Sequence, residues 1–213
     1  MTKLLFPLAL SALIVACSST PCSRTEDAYA AGKALEKATR GKKLAFTYEA
    51  FVSSPSYRSS RDIWRGVAIE QYAPQNSRVE ILLKQQRGRL YINGQIAMDF
   101  PVCSGRFGGH ETPRGTFHIS QKVKEYRSNR YGFYVDEHDN FVKGGAEAGK
   151  PGPAGTCFKG ASLPYWMRFN GAIGLHVGEV HREGESHGCV RVPEEACSIL
   201  FDKLAIGSTV VVK

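Results

Sequence analysis

The sequence lacks several features that would assign its 213 residues to a familiar class. It has no internal repeat, no recognisable nucleic-acid-binding motif and no helical His-Glu-x-x-His pattern of zinc enzymes. The glycine-rich stretch 103–115 is not followed by Gly-Lys-Ser/Thr, which argues against a phosphate-binding loop and favours a wall of a cleft. A composition of 42% hydrophobic and 23% charged residues excludes wholesale disorder and a polytopic membrane protein. The sequence therefore predicts an ordinary globular domain, and its net charge of +8 favours acidic partners.

The apolar run from Leu4 to Ala16 is too short to cross a bilayer comfortably as a permanent helix. It follows Lys3 and ends in small residues, which is typical of an export signal. Its end, Ile14 to Cys17, resembles a bacterial lipobox, whose cysteine is diacylated and becomes the new N-terminus after cleavage. We therefore predict that residues 1–16 are a lipoprotein signal peptide and that Cys17 is lipidated. The alternative is a plain secretory signal.

A lipidated Cys17 would hold the protein in the cell envelope on the periplasmic side, because a multi-chain lipid anchor binds a membrane stably. By resemblance to Gram-negative lipoproteins, Ser18 after this cysteine is compatible with the outer membrane. Export also argues against nucleic acid as a partner. It places the other cysteines in an oxidising compartment, where spare thiols tend to pair.

Six cysteines are present, of which Cys17 is assigned to lipidation and Cys189 to chemistry. The four that remain allow three pairings; they are Cys22, Cys103, Cys157 and Cys197. Cys197 falls on the apolar face of a predicted helix with Leu200, Phe201 and Leu204, so we expect a core thiol there. Because Cys22 lies in a predicted flexible tail, Cys103–Cys157 is left as a weakly preferred disulfide.

Residues 17–74 are predicted to be a tether followed by a partly ordered linker, since the aromatic residues of 41–74 are interrupted by Ser-Ser-Pro and Arg-Ser-Ser-Arg. The folded domain is predicted to span 75–213. It begins with three β-rich runs, and Asn93-Gly94 between the second and third is the strongest short-range hairpin signal. Hairpin-linked strands indicate an antiparallel sheet. The predicted fold class is therefore mainly β with short helices.

By its pattern, the stretch 121–165 is the least regular part, because it alternates charged residues with glycine and proline. We expect a lid or binding loop there, with a passive surface insertion as the alternative. Two short strands, 166–169 and 172–176, are predicted to deliver His176 to a cleft. A helix through Leu204 and a final strand over 209–212 then close the domain.

The chain is organised around a stretch that gathers three of its six histidines near one cysteine: His176, His181, His187 and Cys189. The cluster is open to three interpretations, namely a cysteine nucleophile activated by an imidazole, a zinc site, or a structural cluster. The spacing matches no closed zinc finger. A structural cluster is disfavoured because glycine weakens a strand and histidine needs a polar partner. If Cys189 is the nucleophile, Gly188 permits close approach of a substrate carbonyl, and the Gly188 and Cys189 amides are oxyanion-hole candidates.

His176, followed by Ser186-His187-Gly188-Cys189-Val190-Arg191, resembles the signature of the L,D-transpeptidase catalytic domain, the YkuD-like family. The upstream blocks Phe100 to Gly105 and Thr112 to Phe117 resemble a second recurrent block of the same family. The likeness extends from about residue 75 to 213. It implies an L,D-transpeptidase-like β-sandwich.

The resemblance assigns roles residue by residue. Cys189 matches the nucleophile that forms a thioacyl-enzyme, and His176 matches the general base. His187, Gly188 and Cys189 match the segment whose backbone surrounds the oxyanion.

Two further positions match the family and are expected to bind substrate. Ser186 matches the Ser/Thr that precedes the second histidine. Arg191 occupies the family's Asn/Arg position, where its guanidinium is expected to pair with a stem-peptide carboxylate. His181 has no counterpart and is interpreted as a solvated loop histidine.

The resemblance implies an enzyme that acts on the tetrapeptide stems of peptidoglycan. It would cut the bond after the L-centre of diaminopimelate and pass the acyl group to an amine, in 3-3 cross-linking or in tethering a protein to the wall. L,D-carboxypeptidase activity and a non-catalytic wall-binding lipoprotein are the alternatives. We expect no cofactor, no metal, a monomer, and acylation of Cys189 by carbapenems. The reference histidine pKa of about 6.5 predicts that the rate falls below that pH, as His176 is protonated.

Overall fold

The computed structural model describes residues 47–213, so the predicted signal peptide, Cys17 and Cys22 lie outside the described residues. From Tyr48 to Lys213 the chain forms one compact unit. Within 47–213, no helix is long and apolar enough to cross a membrane.

Strands dominate the described residues, as the sequence predicts, and the helices are short. The strands are β1 (Trp64–Arg65), β2 (Ser77–Leu82), β3 (Arg87–Ile92), β4 (Gln95–Pro101), β5 (Gly115–His118), β6 (Gln121–Val135), β7 (Phe141–Glu147), β8 (Cys157–Asn170), β9 (Ile173–Val177), β10 (Val190–Val192) and β11 (Thr209–Val212). The helices are α1 (Tyr48–Val52), α2 (Glu194–Lys203) and two 3-10 turns, Val67–Glu70 and Pro74–Asn76.

These strands form two sheets. The first has the order β1-β4-β3-β2-β11-β5, and it grows from the two hairpins that link β2, β3 and β4. Asn93 and Gly94 turn the chain between β3 and β4 with φ of 50° and 79°, which confirms the predicted hairpin. The C-terminal β11 then inserts between β2, to which it is parallel, and β5, to which it is antiparallel. The second sheet has the order β10-β9-β8-β6-β7.

One hydrophobic core joins both sheets and α2. The first sheet contributes residues such as Val79, Ile81 and Phe100, and the second contributes Met167, Leu175 and Val190. Cys197 and Leu200 of α2, and Leu204 directly after the helix, are fully buried, and Cys197 is a free thiol, as predicted. Two sheets that bury their facing sides against each other make a sandwich, the fold that the resemblance implies.

The prediction that 121–165 is irregular is wrong. This stretch contains most of a long antiparallel ribbon, in which β6 pairs with β8, and β7 pairs with the outer side of β6. Most β6 side chains are only half-buried or exposed, so the strand lacks a clear apolar face. A register shift between Arg127 and Gly132 also interrupts the period-two alternation that would have revealed it.

The weakly preferred Cys103–Cys157 disulfide is also wrong, because both cysteines are free thiols. Cys103 is buried and forms an isolated backbone bridge with Arg191. Cys157 lies exposed at the start of β8. The two residues therefore belong to different parts of the fold.

The ordered residues before β1 are fastened to the first sheet by one buried carboxylate. Asp99 of β4 accepts hydrogen bonds of 2.7 Å from the hydroxyls of Tyr48 and Tyr57. It also pairs with Arg87 at 2.8 Å and with Arg89 at 3.1 Å. The ordered part of the predicted linker thus packs on the domain that the sequence predicts to span 75–213.

Candidate active site

A cleft of about 550 Å³ lies on the second sheet. Five of the six catalytic and substrate-binding residues that the sequence predicts line it, namely His176, Ser186, His187, Cys189 and Arg191. The sixth, Gly188, is buried next to Cys189. The fold therefore brings the predicted site residues together around one opening.

His176 lies on β9, paired with Arg191 of β10, and only 7% of its surface is exposed. Its Nδ1 is 2.8 Å from the carbonyl oxygen of Val177. Because a carbonyl only accepts, Nδ1 carries the proton and Nε2 is left as an acceptor. Burial lowers the pKa of His176 to about 4, against the opposing hydrogen bond to Val177 and with a smaller lowering effect from Arg191. The imidazole is therefore neutral at neutral pH.

Cys189 immediately precedes β10, and the pairing of Val190 with Leu175 places it beside Gly174 of β9. Burial raises the pKa of the Cys189 thiol, while a backbone hydrogen bond from Gly174 and the charge of Arg191 act in the opposite direction. At neutral pH, thiol and imidazole are thus both uncharged. A neutral imidazole with an open nitrogen can take the thiol proton as a carbonyl is attacked, which is general-base chemistry.

The turn before Cys189 is held by the hydroxyl of Ser186. Gly188 has a φ of +113°, a conformation that favours glycine, and its N–H donates to Ser186 Oγ at 3.0 Å. The same hydroxyl donates to the carbonyl oxygen of Cys189. Ser186 is 3% exposed, so its hydroxyl is used inside the turn. Of the two amides expected to form the oxyanion hole, the Gly188 amide is engaged by Ser186.

Residues of the two upstream sequence blocks, 100–105 and 112–117, also hold this turn in place. Thr112 Oγ1 accepts the N–H of Gly105 at 2.9 Å and donates to the carbonyl oxygen of Gly188 at 2.8 Å. The carbonyl oxygen of Ser104 accepts the N–H of Ser186 at 3.1 Å. The two sequence blocks that carry the family resemblance are therefore in direct contact.

The ring of His187 forms part of the cleft rim. It stacks on Tyr131 of β6 at 4.6 Å between centroids and meets the ring of His110 edge-on at 4.7 Å. Burial, followed by the charge of Arg106, lowers the pKa of His187. The remaining histidine of the stretch, His181, does not line the cleft and lies 3.6 to 3.7 Å from two glutamates. Across 47–213, no group of His, Cys, Asp and Glu side chains is arranged to hold a metal ion.

Sequence reasoning missed the aromatic floor of the cleft. The Trp166 ring stacks on Tyr126 at 5.0 Å and 16°, and lies 6.2 Å from the ring of His176. Gly174 makes room for it, since a Cβ there would meet the Trp166 ring at 2.7 Å. Arg168, two residues further along β8, also lines the cleft. The spacing of Trp166 and Arg168 places them on one strand face, which was the available signal.

A mainly β domain whose cleft combines a cysteine with a buried neutral histidine is built like the enzymes that use a cysteine nucleophile. Comparison with family models is more specific. The model described as L,D-transpeptidase catalytic domain, YkuD, matches residues 76–212, more than half of the chain. The protein therefore belongs to this family, whose members are acyltransferases that act on peptidoglycan stem peptides.

Solved structures similar to this chain are also L,D-transpeptidases. One from Stackebrandtia nassauensis is 24% identical over 67% of this chain and 58% of its own, with a TM-score of 0.48. One from Mycobacterium smegmatis is 16% identical over 65% and 58%, with a TM-score of 0.48. One from Xylanimonas cellulosilytica is 19% identical over 75% and 70%, with a TM-score of 0.47. The match thus spans 58% of the length of each of the first two structures. A search of curated proteins found no match.

Proposed function

We propose that this protein is a peptidoglycan L,D-transpeptidase that forms a thioacyl-enzyme on Cys189 and transfers the acyl group to an amine. The observation that carries this proposal is the placement of two uncharged groups in one cleft. His176 presents an unprotonated Nε2 while Nδ1 is tied to Val177, and the Cys189 thiol lines the same opening. The family membership supplies the substrate class, the tetrapeptide stem.

In the acylation step, Cys189 Sγ attacks the carbonyl carbon of the stem while His176 Nε2 takes the thiol proton. Collapse of the tetrahedral intermediate breaks the C–N bond, and the imidazolium returns its proton to the leaving D-residue. The acceptor amine then attacks the thioester and gives a proton to His176. Cys189 leaves as the thiol, so the enzyme is regenerated.

The electrostatics suit this order of events. Burial dominates both pKa shifts, raising that of Cys189 and lowering that of His176. The charge of Arg191 acts against burial at Cys189 and in the same direction as burial at His176. It therefore favours the thiolate that attacks and disfavours a resting imidazolium. The Cys189 amide is the remaining candidate donor to the oxyanion, since Ser186 engages the Gly188 amide.

The proposal includes attachment of the protein to the periplasmic side of the cell envelope through a lipid on Cys17, in the outer membrane of a Gram-negative cell. This residue lies outside the described part of the chain. Mass analysis of the protein from membranes tests the anchor, because diacylation adds a fixed mass that the Cys17→Ala variant lacks. An identical unmodified N-terminus in both proteins refutes it.

The catalytic proposal is tested by incubating the full-length protein with disaccharide-tetrapeptide and following the products by mass. A cross-linked dimer that has lost D-Ala is expected for the wild type and for the control Cys157→Ala, which removes an exposed thiol. Cys189→Ala should give none. A tripeptide monomer as sole product identifies an L,D-carboxypeptidase instead. Unchanged substrate, with no carbapenem adduct on Cys189, refutes the enzyme.

A further inference from the structure

The cleft is basic and contains no acidic side chain among its described lining residues. Three arginines line it, Arg130, Arg168 and Arg191, together with two imidazoles. Without carboxylates of its own, such a surface attracts an anionic ligand. Charge alone does not distinguish the three arginines, but their surroundings do.

Arg130 belongs to the rim and has a protein partner. It is exposed, its Nε lies 3.8 Å from Glu147, and its guanidinium lies 5.2 Å from the ring centroid of Tyr131. Arg191 runs beside the reacting groups, where its charge acts on the pKa of both Cys189 and His176. Arg130 is therefore placed to attract an anionic ligand from a distance, whereas Arg191 is placed to adjust the pKa values of Cys189 and His176.

Arg168 lies over the aromatic floor of the cleft. Its Nη2 donates to the Tyr126 hydroxyl at 3.3 Å, and its guanidinium lies 5.9 Å from the ring centroid of Trp166. Its Nε is buried and has no hydrogen-bond partner, alone in this respect among the buried side-chain N and O atoms of 47–213. A buried charged donor without an acceptor destabilises the fold, so its retention calls for an explanation. Packing on Trp166 accounts for the ring contact but leaves Nε unsatisfied.

The position of Arg168 relative to Cys189 indicates which part of a bound donor peptide it meets. Arg168 pairs with Gly174 across β8 and β9, and Cys189 lies beside Gly174 on the other side. Two strand spacings separate Arg168 from Cys189, which is about 10 Å between backbones. A carboxylate bound at Arg168 therefore lies well away from the carbonyl that Cys189 attacks. This separation matches a carboxylate at the far end of a side chain of the donor peptide.

We propose that Arg168 is a specificity-determining residue that binds the side-chain carboxylate of the donor peptide, so that the enzyme selects stems whose D-centre carboxylate is free over stems in which it is amidated. This inference rests on the proposed function. A planar guanidinium that lines the cleft suits a carboxylate, which accepts two parallel hydrogen bonds from its N–H groups. An amide in its place carries no charge and has one acceptor oxygen instead of two, so one of the parallel hydrogen bonds is lost.

The test compares two donor tetrapeptides, one with the free carboxylate and one with the amide, in full-length protein. The wild type should use the free acid about 10- to 100-fold better in kcat/KM. Arg168→Gln should lose this preference by slowing the free acid alone. Arg168→Lys keeps the positive charge but loses the planar guanidinium with its parallel N–H donors, so it should retain only part of this preference. The matched control is Arg127→Gln, an exposed β6 arginine outside the cleft lining, which should discriminate like the wild type.

Two measurements keep the outcome decisive. Alkylation of Cys189 by iodoacetamide at the wild-type rate, with an unchanged circular dichroism spectrum, reports that each variant is folded around its thiol; the reagent carries no carboxylate. If Arg168→Gln does not fold, Tyr126→Phe removes the hydroxyl that orients the guanidinium and should reduce the preference in the same direction. Equal use of both donors by the wild type, or equal losses on both in the variants, overturns the role of Arg168. Failure to turn over either donor instead refutes the proposed function.

Discussion

The hydroxyl of Thr112 donates a hydrogen bond of 2.8 Å to the carbonyl oxygen of Gly188, although 76 positions separate the two residues. Thr112 is 2% exposed, and Gly188 directly precedes the proposed nucleophile. The same hydroxyl accepts a hydrogen bond from the N–H of Gly105, so the two hydrogen bonds together fix its orientation. The position of Cys189 therefore depends on a residue that contributes no chemistry of its own.

Replacing Thr112 by valine should lower kcat by roughly 10- to 100-fold, because small misplacements of reacting groups cost rates of this order. Valine keeps the shape but leaves the Gly188 carbonyl and the Gly105 N–H unpaired. Thr112→Ser should retain most activity, since it keeps the hydroxyl. The control Thr116→Val changes an exposed threonine of β5 and should be neutral. Wild-type rates for Thr112→Val, with circular dichroism unchanged, contradict this role.

In the pH profile of kcat/KM, the acid limb, where activity falls as the pH is lowered, should lie near pH 4. The sequence alone suggested about 6.5, but burial lowers the pKa of His176 to about 4. A lowered pKa keeps the imidazole neutral and able to accept a proton as the pH falls, so activity at pH 5.5 should remain close to that at pH 7. Arg191→Gln removes a charge that lowers this pKa and should move the limb upward. His118→Gln, which changes an exposed histidine outside the cleft, should leave the profile unchanged, whereas a wild-type limb near 6.5 rules out a buried neutral base.

Local sequence signals predicted those parts of the molecule whose cause is local. The Asn93-Gly94 hairpin, the helix containing Cys197 and the final strand over 209–212 all appear in the structure. The adjacency of His176 to the Cys189 turn followed from the family motif. Contacts that depend on distant pairing did not follow from the sequence. The spacing of Trp166 and Arg168 indicated a shared strand face, but their placement in the cleft required the β6–β8 ribbon, and β6 has half-exposed side chains and a shifted register that left no clear alternation.

The buried Asp99 should be a major determinant of stability, because removing one partner of a buried ion pair leaves the other charge unsatisfied. Arg87 and Asp99 both have fully buried side chains, and Arg87 also ties down the carbonyl oxygens of Ser60 and Asp62. Asp99→Asn should lower the free energy of unfolding by about 3–5 kcal/mol, measured in urea. Asp202→Asn, which changes an exposed carboxylate of α2, should change it by less than about 0.5 kcal/mol. Equal losses in the two variants argue against a central role for Asp99.

Cys189 should react with iodoacetamide more slowly at pH 7 than a cysteine held as a thiolate–imidazolium pair, and its rate should rise steeply with pH. The reactive form is the thiolate, and burial raises the pKa of this thiol, so little thiolate exists until the pH is high. Peptide mass mapping follows Cys189 and the exposed Cys157 in the same sample, which supplies an internal reference. Arg191→Gln should slow Cys189 further, because the lost guanidinium no longer favours the thiolate, while Cys157 is unaffected. Faster alkylation of Cys189 than of Cys157 at pH 7 would mean a preformed ion pair. The thiol would then be activated before substrate binds, whereas the neutral dyad activates it only as the substrate carbonyl is attacked.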